Sequence, residues 1–229
     1  SRVANILWYA ILSLLGGYGA FRIYQFGHVN LTWGDAATAM GLGFITLIRV
    51  LVLIAIASLI WTPIGIYVGL RPRLTAIVQP VAQFLAAFPA NILFPLVVSV
   101  IVIFELNPDI WLSPLMVLGT QWYILFNVIA GASTMPKELR DASDNFGVHG
   151  WLWWKRVALP AVFPYYVTGA ITASGGAWNA SIVAEVASWG TRTLHAHGLG
   201  AYIADAVASG DFRKVVLGTA IMSFFVVVV

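Results

Sequence analysis

Six stretches of this chain run for fifteen to thirty residues without a formal charge: Val3 to Phe21, Val50 to Leu70, Leu74 to Ile103, Ile110 to Met135, Val157 to Ala184 and Val215 to Val229. A helix of about 20 apolar residues crosses the hydrocarbon core of a bilayer, so the first five are expected to span a membrane. The sixth is fifteen residues long and stops inside FFVVVV, and the chain opens at Ser1 rather than Met, which leads us to expect a piece of a longer polypeptide. Val3 to Phe21 does not read as a signal peptide, because Arg22 and Tyr24 follow where small cleavage-site residues are needed. Only 9% of residues are charged and 60% are hydrophobic, whereas about a quarter of a soluble domain is charged. Backbone polar groups in lipid must be paired internally, which long apolar helices achieve; the alternating segments of roughly ten residues that build a barrel are missing. The expected fold class is all-α, a polytopic transmembrane bundle of about six spans over residues 1–229.

The cations orient the bundle. With Ser1 in the cytoplasm, Arg2, Arg71, Arg73, Lys137, Arg140, Lys155 and Arg156 lie inside, against Arg192, Arg213 and Lys214 outside. A formal charge of +3 is too small to argue for nucleic acid, and the lack of cysteine removes disulfides and thiolate metal sites. Pro63, Pro89, Pro95, Pro114 and Pro164 fall within or at the ends of spans, where they kink helices. Gly65 and Gly69 have the spacing of a helix-packing pair.

In this topology residues 138–160, ELRDASDNFGVHGWLWWKRVALP, form a cytoplasmic loop between spans four and five. Thr134 is placed to cap a helix with Pro136 in its first turn, ending at Asn145 to Gly147, where glycine supplies a left-handed turn. Leu139, Ala142 and Phe146 share one face; Lys137, Arg140, Asp141 and Asp144 share the other. The pairs Lys137–Asp141 and Arg140–Asp144 run basic to acidic, the weaker order, in an interaction worth only about 0.2–0.5 kcal/mol. Helix stability therefore leaves these charges unexplained. Trp151 to Val157, with three tryptophans, Lys155 and Arg156, reads as a helix returning along the cytoplasmic interface, and Pro160 opens span five.

Asp141, Ala142 and Ser143, then three residues, Gly147, nine residues, and Val157, Ala158, Leu159, Pro160 resemble the loop acidic-Ala-Ala-x3-Gly-x9-Ile-x-Leu-Pro of permease subunits in bacterial binding-protein-dependent ABC importers. Asp for Glu, Ser for the second Ala and Val for Ile are mild departures. The pieces QFLAAFPANILFPLVV, AWNASIVAEV at 177–186 and GLGAYI at 198–203 resemble the nitrate, sulfonate, taurine and bicarbonate branch, and the likeness covers roughly Leu42 to Val229. It implies that the loop 134–160 is a coupling element docking on a separate ATPase through Lys137, Glu138, Arg140, Asp141, Ala142, Ser143, Gly147, Leu159 and Pro160. It further implies ABC ATPase subunits that carry ATP and Mg, a second permease copy or half, an extracytoplasmic solute-binding protein, and a place in a bacterial inner membrane. No cofactor is expected on this chain, which has no G-x-x-x-x-G-K-S/T loop. A plain solvated loop would also be amphipathic; the full spacing, with its glycine and proline, favours docking.

Polar residues recur at helical spacing inside three spans: Gln79, Gln83, Ala87 and Asn91; Thr120, Tyr123, Asn127 and Gly131; Thr168, Thr172, Gly176 and Asn179. A polar face toward lipid is unfavourable, so these faces are expected to look inward, at partner helices or a watery path. Gln83, Asn91, Tyr123, Asn127, Thr168, Thr172 and Asn179 are the candidate pathway residues, for a small solute that the resemblance makes an anion. Arg49 and Glu185 bracket charge-free runs at a common outer depth, where Arg49 either snorkels or forms an outer gate with Glu185, the two paired or flanking the mouth, with Arg49 attracting solute. Leu199, Tyr202, Ile203, Ala206 and Val207 form one face of an amphipathic helix expected to lie on the outer membrane surface. His195 and His197 lack further clustered ligands and read as loop histidines, with no metal site expected. A membrane-embedded enzyme would need a nucleophile with its base, and no His falls inside an apolar span; a passive channel would not need the cytoplasmic loop.

Overall fold

The computed structural model describes the backbone of residues 2–28 and 32–228 and the side chains of 5–22, 25 and 32–228. Ser1, Val229 and the Arg2 side chain, which entered the expected orientation and spans, lie outside the described residues. Helix α1 (Arg2–His28) keeps its described side chains largely exposed and packs against the C-terminal helix. Helix α2 (Trp33–Gly69) starts seventeen residues before the expected span, because Thr32 and Asp35 form a reciprocal capping box: the Thr32 hydroxyl accepts the Asp35 N–H at 3.2 Å and the Asp35 carboxylate accepts the Thr32 N–H at 3.0 Å. Its 37 residues measure about 55 Å, nearly twice the hydrocarbon thickness, so Arg49 sits in the middle of a helix rather than at its end.

Helix α3 (Pro72–Ala87) is followed by a one-turn 3-10 segment (Ala90–Leu93) and α4 (Phe94–Ile103), with a bend of 72° between the arms. Pro89 causes the break: it pushes Phe88 out of the helical region, to φ −68° and ψ 125°, and offers no N–H. Short helices α5 (Pro108–Trp111) and α6 (Pro114–Leu118) lead at 44° into α7 (Trp122–Ser133). Helix α8 (Lys137–Asn145) precedes α9 (Gly150–Trp153), a π-helical turn (Trp154–Ala158) and α10 (Leu159–Ala184), the last three forming one 35-residue helix. The expected interfacial helix at Trp151 is thus the first part of span five. A hairpin of β1 (Val186–Trp189) and β2 (Arg192–His195) turns at Gly190, before α11 (Leu199–Ala208) and α12 (Phe212–Val228).

Among the described residues two helices, Trp33–Gly69 and Gly150–Ala184, are long and apolar enough to cross a membrane, and up to four spans result if each bent pair counts as one. Neither α1 nor the 17-residue α12 is among them, so the expected six is matched only roughly. Helices α2, α7 and α10 pack against one another at the centre. Lipid is as apolar as the side chains it would replace, so close packing holds such a bundle, and small residues allow it. A Cβ on Gly69 would lie 2.6 Å from the Ile129 carbonyl, and one on Gly169 2.8 Å from the Tyr123 carbonyl. The Gly65/Gly69 pair is therefore the α2 seam against α7. Trp178 of α10 is fully buried and stacks on Phe225 of α12 at 5.6 Å.

Candidate functional site: an exposed helix and a buried polar cluster

Helix α8 begins after Pro136, with no side-chain cap. Thr134 instead closes α7, its hydroxyl donating to the Gly131 carbonyl at 3.0 Å and lying 3.3 Å from the Tyr165 hydroxyl. The helix ends as the sequence predicts: Gly147 has φ +67°, its N–H donates to the Asp144 carbonyl at 3.0 Å, and the Val148 N–H donates to the Ser143 carbonyl at 2.8 Å. This pair of bonds is a Schellman turn, which needs the left-handed residue that glycine supplies. Ser143 is buried, with its hydroxyl donating to the Arg140 carbonyl at 2.7 Å, while Lys137, Glu138 and Asp141 are exposed and Ala142 is half-buried. Within half-buried Arg140, Nε is buried and has no partner among the described residues. The apolar face is uncovered too: Leu139 is 41% and Phe146 84% exposed. Leu159 and Pro160, also exposed, occupy the first turn of α10. Four residues, 146–149, are all that separate α8 from the helix that runs into α10, so a displacement of α8 reaches the bundle through a short connection.

At the other end, Arg49 and Glu185, 136 positions apart, meet in an ion pair between Nη1 and Oε1. The Glu185 side chain is 1% and that of Arg49 9% exposed, so Arg49 does not snorkel. Glu185 also accepts the Thr46 hydroxyl at 2.9 Å and the Ala201 N–H at 3.1 Å, and Thr46 accepts the Leu199 N–H at 2.9 Å. Arg49 reaches the Asp109 carboxylate at 3.6 Å and donates to the His197 carbonyl at 3.2 Å. Asp109 in turn accepts the His197 N–H at 2.6 Å and lies 3.0 Å from the His197 ring Nδ1. One guanidinium thus ties α2 to the end of α10, the start of α5 and the loop before α11. It faces two carboxylates and a carbonyl, the paired arrangement of Arg49 and Glu185, rather than standing as an isolated cation.

Gly198 and Gly200 make room for this cluster. A Cβ on either would collide with the Glu185 carboxylate, at Gly200 2.7 Å from Oε2. The GLG run lets the N-terminus of α11 bring its N–H groups onto a buried anion, where the helix dipole favours negative charge. Helix α11 is accordingly packed against α2, α10 and α12, with Leu199, Ile203 and Ala206 buried, rather than laid on the membrane surface. Val207 alone of its expected apolar face stays well exposed, and Tyr202 is half-buried. His195 Nδ1 lies 3.6 Å from Asp205, and among the described residues no three His, Cys, Asp or Glu side chains gather as metal ligands would.

The pathway candidates do not turn into this bundle. Gln83, Asn91, Tyr123, Thr168, Thr172 and Asn179 are exposed on its surface and Asn127 is half-buried. The reason lies in α10, which commits Gly169, Ala173, Ala177, Trp178 and Ser181 to packing, leaving the opposite stripe outside. Because Gly169 brings α10 onto the Tyr123–Asn127 turn of α7, the α7 and α10 stripes run side by side as one polar face. Their hydroxyls and amides are partly engaged locally: Thr172 donates to the Thr168 carbonyl at 2.8 Å and Asn127 to the Tyr123 carbonyl at 2.8 Å. Sequence reasoning passed over Thr46 and Asp109. The only signal for Thr46 is its place one helical turn before Arg49; for Asp109, separated by 88 positions from His197, there is none.

A multi-pass helical bundle with an exposed helix, a left-handed glycine and a second helix between two spans defines the class. The chain belongs to the family of binding-protein-dependent transport system inner membrane components, whose pattern matches residues 61–229. It is 28% identical, over 163 residues, to the bicarbonate transport system permease protein CmpB of Synechococcus elongatus, covering 71% of this chain and 55% of that one. With the nitrate import permease protein NrtB of Synechocystis sp. it shares 24% identity over 192 residues, 82% of this chain and 66% of the relative. With NrtB of Leptolyngbya laminosa it shares 26% over 169 residues, 74% and 57% respectively. The chain thus spans little more than half the length of the curated bicarbonate permeases it matches.

Proposed function

We propose that this chain is the membrane permease part of an ATP-driven importer in a bacterial inner membrane, carrying a small anion of the nitrate, bicarbonate or sulfonate kind. It performs no catalysis; ATP and Mg belong to separate ATPase subunits, and an extracytoplasmic binding protein delivers the solute. Residues 42–229 form the permease core and 134–160 the coupling loop. The observation that carries this reading is α8: charged on one face, apolar and uncovered on the other, ended by a Schellman turn and joined through 146–149 to the helix that becomes α10. A helix with both faces exposed gains little from its own chain and suits a partner's cleft.

The polar face of α7 and α10 supports a second permease unit, a copy or a fused half, with the path between the two. Its donors are neutral, so they can bind an anion without holding it. The outer cluster around Arg49 and Glu185 then acts as a latch at the external end. Reconstituted with its ATPase and binding protein, the permease is tested by Gly147→Val and Asp141→Lys. Both are expected to abolish ATP-driven uptake at normal expression and insertion, the first because a β-branched residue cannot hold φ +67° without strain and the second by reversing a docking charge. Undiminished uptake by both variants rejects the coupling role; a passive channel would transport without ATP.

A further inference from the structure

On the side of α10 away from Thr168, Thr172 and Asn179, a groove of about 710 Å³ opens between α2 and the α9–α10 helix. Leu159, Val162, Phe163 and Tyr166 line it at successive three- and four-residue steps, about half a turn from the polar stripe, so it does not belong to the face assigned to the solute. Its size falls within the roughly 300–1,000 Å³ of ligand sites. Of its polar groups, the Tyr166 hydroxyl donates to Ser58 Oγ at 3.1 Å and the Ser58 hydroxyl donates to the Ile54 carbonyl at 2.7 Å; Thr62 and the indoles of Trp151 and Trp154 are the others. The rest of the lining is hydrocarbon, which suits an acyl chain.

Depth and charge narrow it further. In the orientation set by the cations, α2 descends toward the cytoplasm while α10 rises from it, so Ser58 and Tyr166 lie deep and Pro63, Leu159 and Trp151 lie near the cytoplasmic interface. Trp151 and Trp154 stand at that end, where indole rings favour the headgroup layer. Lys155 and Arg156 follow Trp154 directly in the chain, both are exposed, and no acidic residue occurs between Val148 and Ala184. The groove is largely apolar, and two cations come next in sequence after the tryptophans at its end.

We propose that this groove holds an anionic phospholipid of the cytoplasmic leaflet, one acyl chain between α2 and α10 and its phosphate at Lys155 and Arg156. The site is independent of which solute the permease carries. Native mass spectrometry of the purified, delipidated complex, titrated with phosphatidylglycerol or with phosphatidylcholine, reads it directly. The wild type is expected to bind phosphatidylglycerol preferentially. Lys155→Gln and Arg156→Gln each weaken that binding about fivefold, the effect of one basic residue near an anionic headgroup, and leave phosphatidylcholine unchanged. Ala55→Trp, which fills the groove, weakens both lipids. The two charge positions are exposed, so those variants keep the fold and decide the matter even where Ala55→Trp impairs folding. Equal binding of the two lipids by wild type, or unchanged preference in Lys155→Gln/Arg156→Gln, overturns the proposal, as does full binding by a folded Ala55→Trp.

Discussion

Replacing Arg49 by glutamine removes the one full positive charge paired with Glu185 among the described residues. The carboxylate, 1% exposed, keeps the Thr46 hydroxyl and the Ala201 N–H, both neutral donors. A buried charge stripped of its partner costs about 3–5 kcal/mol. Glu185→Gln is milder, because Arg49 retains Asp109 at 3.6 Å, itself 35% exposed, and the His197 carbonyl at 3.2 Å. Its cost is about 1.5–3 kcal/mol, that of hydrogen bonds to a charged group. At about 2–4 °C per kcal/mol for a chain of this size, Arg49→Gln lowers the unfolding midpoint by about 6–20 °C and Glu185→Gln by about 3–12 °C. The double variant leaves no isolated charge on Glu185 and loses less than the sum of the two. Tryptophan fluorescence on heating in detergent measures all three. An Arg49→Gln midpoint indistinguishable from wild type, a larger loss for Glu185→Gln, or strict additivity refutes the reasoning.

Other consequences are open to test. Gly200→Val pushes a side chain against Glu185 and Ser181, which separates α11 from α10; susceptibility to proteolysis in the hairpin and α11 should rise. Gly69→Val drives methyl groups toward the Ile129 carbonyl and Ala132 and costs about 1–3 kcal/mol of overpacking, seen as reduced yield and a lower unfolding midpoint. A photo-crosslinker at Tyr123, on the polar face, captures a second permease unit, whereas one at Phe163, in the groove, does not; identical products from the two positions would remove the argument for that unit.

The helical fold is legible because a bilayer leaves few options: charge-free runs must pair their own backbones, and Pro89 marks one bend, whereas Pro63 and Pro164 lie inside continuous helices and the bend before Trp122 has no proline. Helix α2 is legible too, since Thr32 and Asp35 in TWGD are a capping signal, but counting from the first charge-free residue hides it and turns Arg49 into an end residue. Helix α8 and its left-handed Gly147 read well because their chemistry is local, a helix and a glycine within a dozen positions. The polar stripes read only by half: a polar face excludes lipid, yet nothing in one helix says whether the neighbour is its own bundle or another. The outer cluster is the least legible, for it gathers Thr46, Arg49, Asp109, Glu185 and the backbone around 197–201 from four distant segments. That assembly changes the functional argument. An isolated cation at the mouth would draw anions from solution, whereas Arg49 faces two carboxylates, so the cluster presents no unpaired cation there. Under the anion reading proposed above, selectivity rests on the neutral donors along α7 and α10 rather than on attraction by Arg49. Uptake by a protein that keeps the ion pair should then respond to ionic strength no more than a neutral mouth would, since nothing there steers the solute.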